Sequence, residues 1–108
     1  MEMNGVHLIY KNDGSGQFPM FPTTDGTKAV VIFKTFDAAK RFTDGKNKQD
    51  EWMVVEQSWL ETLAWLRDCM SRENATLMSI DPNPDTFHNP DETNAIPILR
   101  ILIEAEPD

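Results

Sequence analysis

A single cysteine, Cys69, stands among the 108 residues, so no disulfide can close within the chain and no multi-cysteine metal site can be assembled. That scarcity suits a reducing compartment. Basic residues are scarce too: ten Lys and Arg against eighteen Asp and Glu give a formal charge of -8, which repels both the phosphate backbone of nucleic acid and an anionic membrane surface. Nucleic acid is therefore not an expected partner. No apolar run approaches the roughly 20 residues needed to cross a bilayer, and MEMNGVHLIY lacks a basic segment followed by an apolar core. The expectation is a non-exported cytoplasmic protein. The Walker, dinucleotide-binding and nucleophile-elbow patterns are absent as well, which leaves Gly14-Ser15-Gly16 as a tight turn and no residue with an expected catalytic role.

What is present suffices for a packed interior. Apolar residues make up 40% of the chain and include six Phe, three Trp and six Met, so residues 1–108 are read as one domain that folds unaided. The segment AVVIFKTFDAAKRF, from Ala29 to Phe42, is the clearest structural signal. Its first five residues are all apolar, as in a strand covered on both faces, and Phe36, Ala39 and Phe42 then recur at helical spacing. Thr35 can cap that helix and Gly45 can stop it, which predicts a helix over about 36–44.

Earlier in the chain, VHLIY (6–10) reads as a strand ended by the turn residues Asn12 to Gly16. Residues 17–27 read as an irregular segment, or a proline-interrupted edge strand, pinned by Phe18, Met20 and Phe21, so 1–28 is a strand and loop of less definite form. Further on, WMVVE (52–56) supplies another strand. Ser58 with Glu61 fits a capping box, and Trp59, Leu63, Leu66 and Met70, with Leu60 widening the stripe, predict a second helix over about 59–73. ATLMSI (75–80) follows as a strand, and residues 81–95 form a long loop rich in Pro, Asp and Asn. With Pro97 at its first position, the segment over about 97–105 fits an amphipathic helix, although its isoleucines also permit a strand. The alternation of strand and helix from Ala29 to Ile80 predicts an α/β domain with a mainly parallel sheet joined by crossover helices.

The same order of elements, with VVIFKTFDAAKRF, the strand and helix from Trp52 to Met70, and SIDPNP before IPILRILIEAE, resembles the bacterial SseB-type domain family over roughly Lys28 to Glu106. The resemblance implies a small bacterial module without an established catalytic site, concerned with protein contacts. It assigns no functional residue.

Three groups of residues remain as candidates. Asp81, Asn83, Asp85 and Glu92 stand at positions 1, 3, 5 and 12 of an EF-hand-like spacing, so calcium is the alternative cofactor reading. Thr86 replaces the turn glycine of that loop, and the usual composition of a solvated turn explains the same residues. His7 and His88 lack ligand spacing, and a small enzyme would have to bring His7 together with Asp81 or His88 from distant positions. Trp59 and Trp65 fall on different faces of the second helix, so one is expected to be accessible, and Trp65 beside Cys69 would form a contact surface. Wide burial of that helix is the competing reading. The leading functional expectation is a non-enzymatic interaction or regulatory module with a protein partner and no cofactor.

Overall fold

The computed structural model describes residues 3–44, 51–82 and 95–105. Within them the chain runs through β1 (Val6–Lys11), β2 (Met20–Pro22), β3 (Lys28–Ile32), α1 (Phe36–Asp44), β4 (Trp52–Gln57), α2 (Trp59–Glu73), β5 (Ala75–Ile80), β6 (Ala95–Pro97) and α3 (Ile98–Ala105).

Helix boundaries follow from local chemistry. At α1 the Thr35 hydroxyl accepts from the Ala38 N–H at 3.1 Å, an N-terminal cap. The capping box of α2 forms as expected: the Ser58 hydroxyl accepts from the Glu61 N–H at 3.1 Å, and the Glu61 carboxylate accepts from the Ser58 N–H at 3.2 Å. Asn74 ends α2 in the left-handed conformation, φ 57, and its N–H donates to the Cys69 carbonyl. The terminal helix starts at Ile98 rather than Pro97, because Ala95–Pro97 pairs with β5 as a short strand before the chain turns helical.

β3 is the central strand, and its all-apolar sequence is explained by cover on both faces. Val30 and Ile32 join Val6, Leu8 and Met78 beneath α2 and α3, where Leu63, Leu66, Ile98 and Ile101 are buried. Val31 and Phe33 turn the other way and meet Ile9, Phe21, Ala39 and Phe42 beneath α1. Alternation along β1 and β3 thus divides the interior into two layers, with α1 the one described helix on its side.

The sheet corrects the expected mainly parallel arrangement. β3 and β5 are the one parallel pair among the described strands, whereas β2 lies antiparallel to β3, β6 antiparallel to β5, and β4 antiparallel to β1. An antiparallel bridge between His7 and Phe33 joins the β1–β4 pair to the four-stranded sheet β2–β3–β5–β6. It follows that β4 runs in the same sense as β3 but with β1 between them. The crossover through α1 therefore returns the chain in the expected direction, and the N-terminal strand occupies the position where a parallel neighbour would have been.

The β2–β3 connection is held by its own side chains. The Asp25 carboxylate accepts from the Thr23 and Thr27 hydroxyls, which hold its carboxyl down to about 2, and the Thr27 and Thr76 hydroxyls meet at 2.6 Å to tie this turn to β5. No helix among the described residues is long and apolar enough to cross a membrane.

Candidate functional site

A concave surface lies where the segment after β1 crosses the C-terminal half of α2. Two depressions adjoin there, of about 620 and 240 Å³, and both are lined by Gly16, Phe18 and Glu73. Met20 and Lys28 contribute to the larger; Tyr10, Trp65, Cys69 and Arg72 contribute to the smaller.

Strand and helix periodicity place these groups together. Tyr10 follows Val6 and Leu8 at every second position of β1, so it points toward α2 at the margin of that core. Trp65 and Cys69 are four residues apart on α2 and share a face of the helix. Gly14 and Gly16, both with φ 77, turn the chain after β1, and the Lys11 N–H donates to the Gln17 carbonyl at 2.7 Å, which brings Phe18 back over the helix. Phe18 then sits edge-on between two rings, 5.9 Å from Tyr10 and 5.1 Å from Trp65 between centroids.

Trp65, a contact residue on the reading that leaves one tryptophan exposed, is half-buried under Phe18, and Trp59 is buried in the core, as wide burial of the helix implies. The Trp65 indole nitrogen is buried and has no hydrogen-bond partner among the described residues. Leu60, expected to widen the buried stripe, is instead 78% exposed. Cys69 lies beneath the cleft, almost fully buried. Burial pushes its thiol up to about 12 from an ordinary 9.0, and the Glu73 and Asp68 carboxylates add to this. Burial, followed by the influence of Cys69, likewise raises Tyr10.

The folded chain holds the Cys69 proton more tightly than the unfolded chain does. The associated stability is complete below pH 9 and is lost as the pH rises toward 12. The same displacement lowers the thiolate fraction at neutral pH about a thousandfold, so iodoacetamide is expected to alkylate the native chain that much more slowly than the urea-unfolded chain. Equal rates for the two forms would contradict the burial of this thiol.

The other two described candidates, His7 and Asp81, each bond to the end of β3. Asp81, at φ 50, turns its carboxylate back to accept from the Lys34 N–H at 2.9 Å, which secures the end of β5 to the end of β3. Asn83, Asp85, His88 and Glu92 lie outside the described residues. His7 meets Glu56 at 3.2 Å, and these two are direct cross-strand partners, so the pairing of β1 with β4 accounts for the contact. His7 and Asp81 thus have different partners. Among the described residues no group of three or more His, Cys, Asp and Glu side chains is arranged to hold a metal ion.

Tyr10, Phe18, Lys28 and Arg72 are among the lining residues that sequence patterns do not single out as a site. Phe18 was visible only as an aromatic that pins an irregular segment; its contact with Trp65 spans 47 positions and leaves no local periodicity. No protein-family model and no curated protein matches this chain.

Proposed function

We propose that this chain is a non-enzymatic protein-interaction or regulatory module whose contact surface is the cleft at Phe18 and Trp65. The observation that carries this reading is the composition of the cleft: three interlocked aromatic rings with cationic and anionic side chains around the rim. Aromatic residues and arginine are the groups that contribute most at the centre of protein interfaces, and a mixed-charge rim suits a protein surface better than a highly charged polymer. Cys69, the one thiol beside the cleft, is held protonated and buried, which favours recognition over nucleophilic chemistry. The SseB-type resemblance implies the same class of role.

The test is affinity capture from a lysate of the source cells on the immobilised full chain, repeated with Arg72→Glu and Trp65→Ala. Arg72 is exposed, so reversing its charge leaves the core intact. A partner held by the wild-type chain is expected to weaken about tenfold or more with each variant while circular dichroism shows the fold retained. Folded variants that hold every wild-type partner with unchanged affinity would overturn this surface.

A further inference from the structure

Asn4-Gly5 is the one Asn-Gly step in the chain, and we infer that it is a site of spontaneous modification at which Asn4 loses ammonia and becomes aspartate or isoaspartate. Every other asparagine precedes Asp, Lys, Ala or Pro. Glycine matters at the second position because it has no Cβ to shield its amide nitrogen or to restrict the backbone as the two groups approach. Asn4 is exposed, in a bend just ahead of β1. Among the described residues, neither its side-chain amide nor the Gly5 N–H has a hydrogen-bond partner, so both reacting groups are free.

Water is the only co-reactant. The Gly5 nitrogen gives up its proton and attacks the side-chain carbonyl carbon of Asn4; the new C–N bond replaces the C–NH2 bond, and ammonia leaves with that proton to give a cyclic succinimide. Water then opens the ring. Cleavage on the side-chain side restores the ordinary main chain with aspartate in place of Asn4, whereas cleavage on the main-chain side leaves isoaspartate, with an extra main-chain carbon shortly before the core residue Val6. Either product carries a carboxylate at neutral pH. It forms in a hollow of about 480 Å³ lined by Met3, Asn4, Gly5, His7, Lys34 and Glu56, so negative charge appears beside the Lys34 ammonium and the His7–Glu56 pair. This hollow shares no lining residue with the Phe18 cleft, and the two sites are tested independently.

Asp13-Gly14 and Asp25-Gly26 offer the same attack, and the fold restrains both. An ionised carboxylate is a poor electrophile, so an Asp-Gly step cyclises through the protonated carboxyl, whereas an amide has no such requirement. Hydrogen bonds from Ser15 hold Asp13 below its ordinary range, the Ser15 N–H donating to it at 2.9 Å. The Thr23 and Thr27 hydroxyls hold Asp25 down to about 2, and the Gly26 N–H already donates to the Thr23 carbonyl at 3.3 Å. Asn4-Gly5 has neither restraint.

Mass spectrometry of the tryptic peptide ending at Lys11, after timed incubation of the folded full chain in neutral buffer, tests the site beside the same peptide incubated free. That peptide holds no other asparagine and no glutamine, so a mass gain equal to the exchange of NH2 for OH reports Asn4 alone. The folded chain is expected to convert at close to the rate of the free peptide, and faster as the pH rises, because the attacking nitrogen reacts without its proton. Gly5→Ala adds a Cβ that meets nothing within 4 Å, so the variant keeps the fold, which circular dichroism checks. It is expected to slow the conversion at least about tenfold by shielding the nitrogen. A folded chain in which Asn4 stays intact while the free peptide converts overturns the inference. So does a mass gain that proceeds unslowed in folded Gly5→Ala.

Discussion

Phe42→Ala is expected to lower stability in urea denaturation by about 3–5 kcal/mol, the usual cost of deleting a fully buried ring. Among the described residues, the layer beneath α1 has only Ile9, Phe21, Val31, Phe33, Ala39 and Phe42 as its buried apolar residues. α1 itself has nine residues and contributes just Ala39 and Phe42 to that list. Phe42 has no exposed surface, and its ring lies 5.2 Å from that of Phe33, so alanine would empty the centre of the layer with little nearby to refill it. The loss is a large share of the roughly 5–15 kcal/mol that holds a domain folded. Phe36→Ala, one helical stretch earlier at 53% exposure, serves as the control and should cost far less. A loss below about 1 kcal/mol for Phe42→Ala would mean that the α1 layer is not part of the cooperative core.

Leu66→Ala is expected to cost about 3 kcal/mol by the same measurement. Leu66 is fully buried on α2 within the larger layer, among Leu63, Cys69, Met78 and Ile101, where a broader set of neighbours can relax toward the vacated space. The two sites belong to different clusters on opposite faces of β3, whose Val30 and Ile32 face one and whose Val31 and Phe33 face the other. Their effects should therefore add to within about 0.5 kcal/mol, a combined loss of about 6–8 kcal/mol. Strong coupling between them would show that the sheet does not divide the interior in this way.

Much of this architecture is legible in the sequence, and the reasons are local. The apolar run Ala29–Phe33 read directly as a strand covered on both sides, and the spacing of Phe36, Ala39 and Phe42 gave α1 over 36–44. Ser58 and Glu61 marked the start of α2 because a capping box is a contact within four residues. Sheet order is a different matter. Strand–helix alternation determines that the chain comes back in the same sense, but which strand sits alongside depends on β1, whose pairing with β4 joins His7 to Glu56 across 49 positions. The mainly parallel expectation failed at that point. β6 escaped notice because three residues ending in Pro97 carry the same signal as the first turn of a helix.

The site was legible in half. Trp65 and Cys69 emerged from helical spacing, and the structure sets both at one cleft. The partners that give the cleft its character, Tyr10 and Phe18, come from a strand end and from a segment shaped by two left-handed glycines. Strand alternation sets Tyr10 on the side of Val6 and Leu8 without saying which helix covers it, and Phe18 has no period at all.

We propose that the aromatic cleft at Phe18 and Trp65 is where this chain meets a protein partner. The most direct measurement is a ¹H–¹⁵N correlation spectrum of the uniformly labelled chain, recorded as the partner obtained by affinity capture is added. The Trp65 indole resonance and the backbone resonances of Tyr10, Gly16, Phe18 and Arg72 are expected to shift first and furthest. Contradiction would be a bound spectrum in which those resonances stay in place while the largest shifts map to α3 or α1.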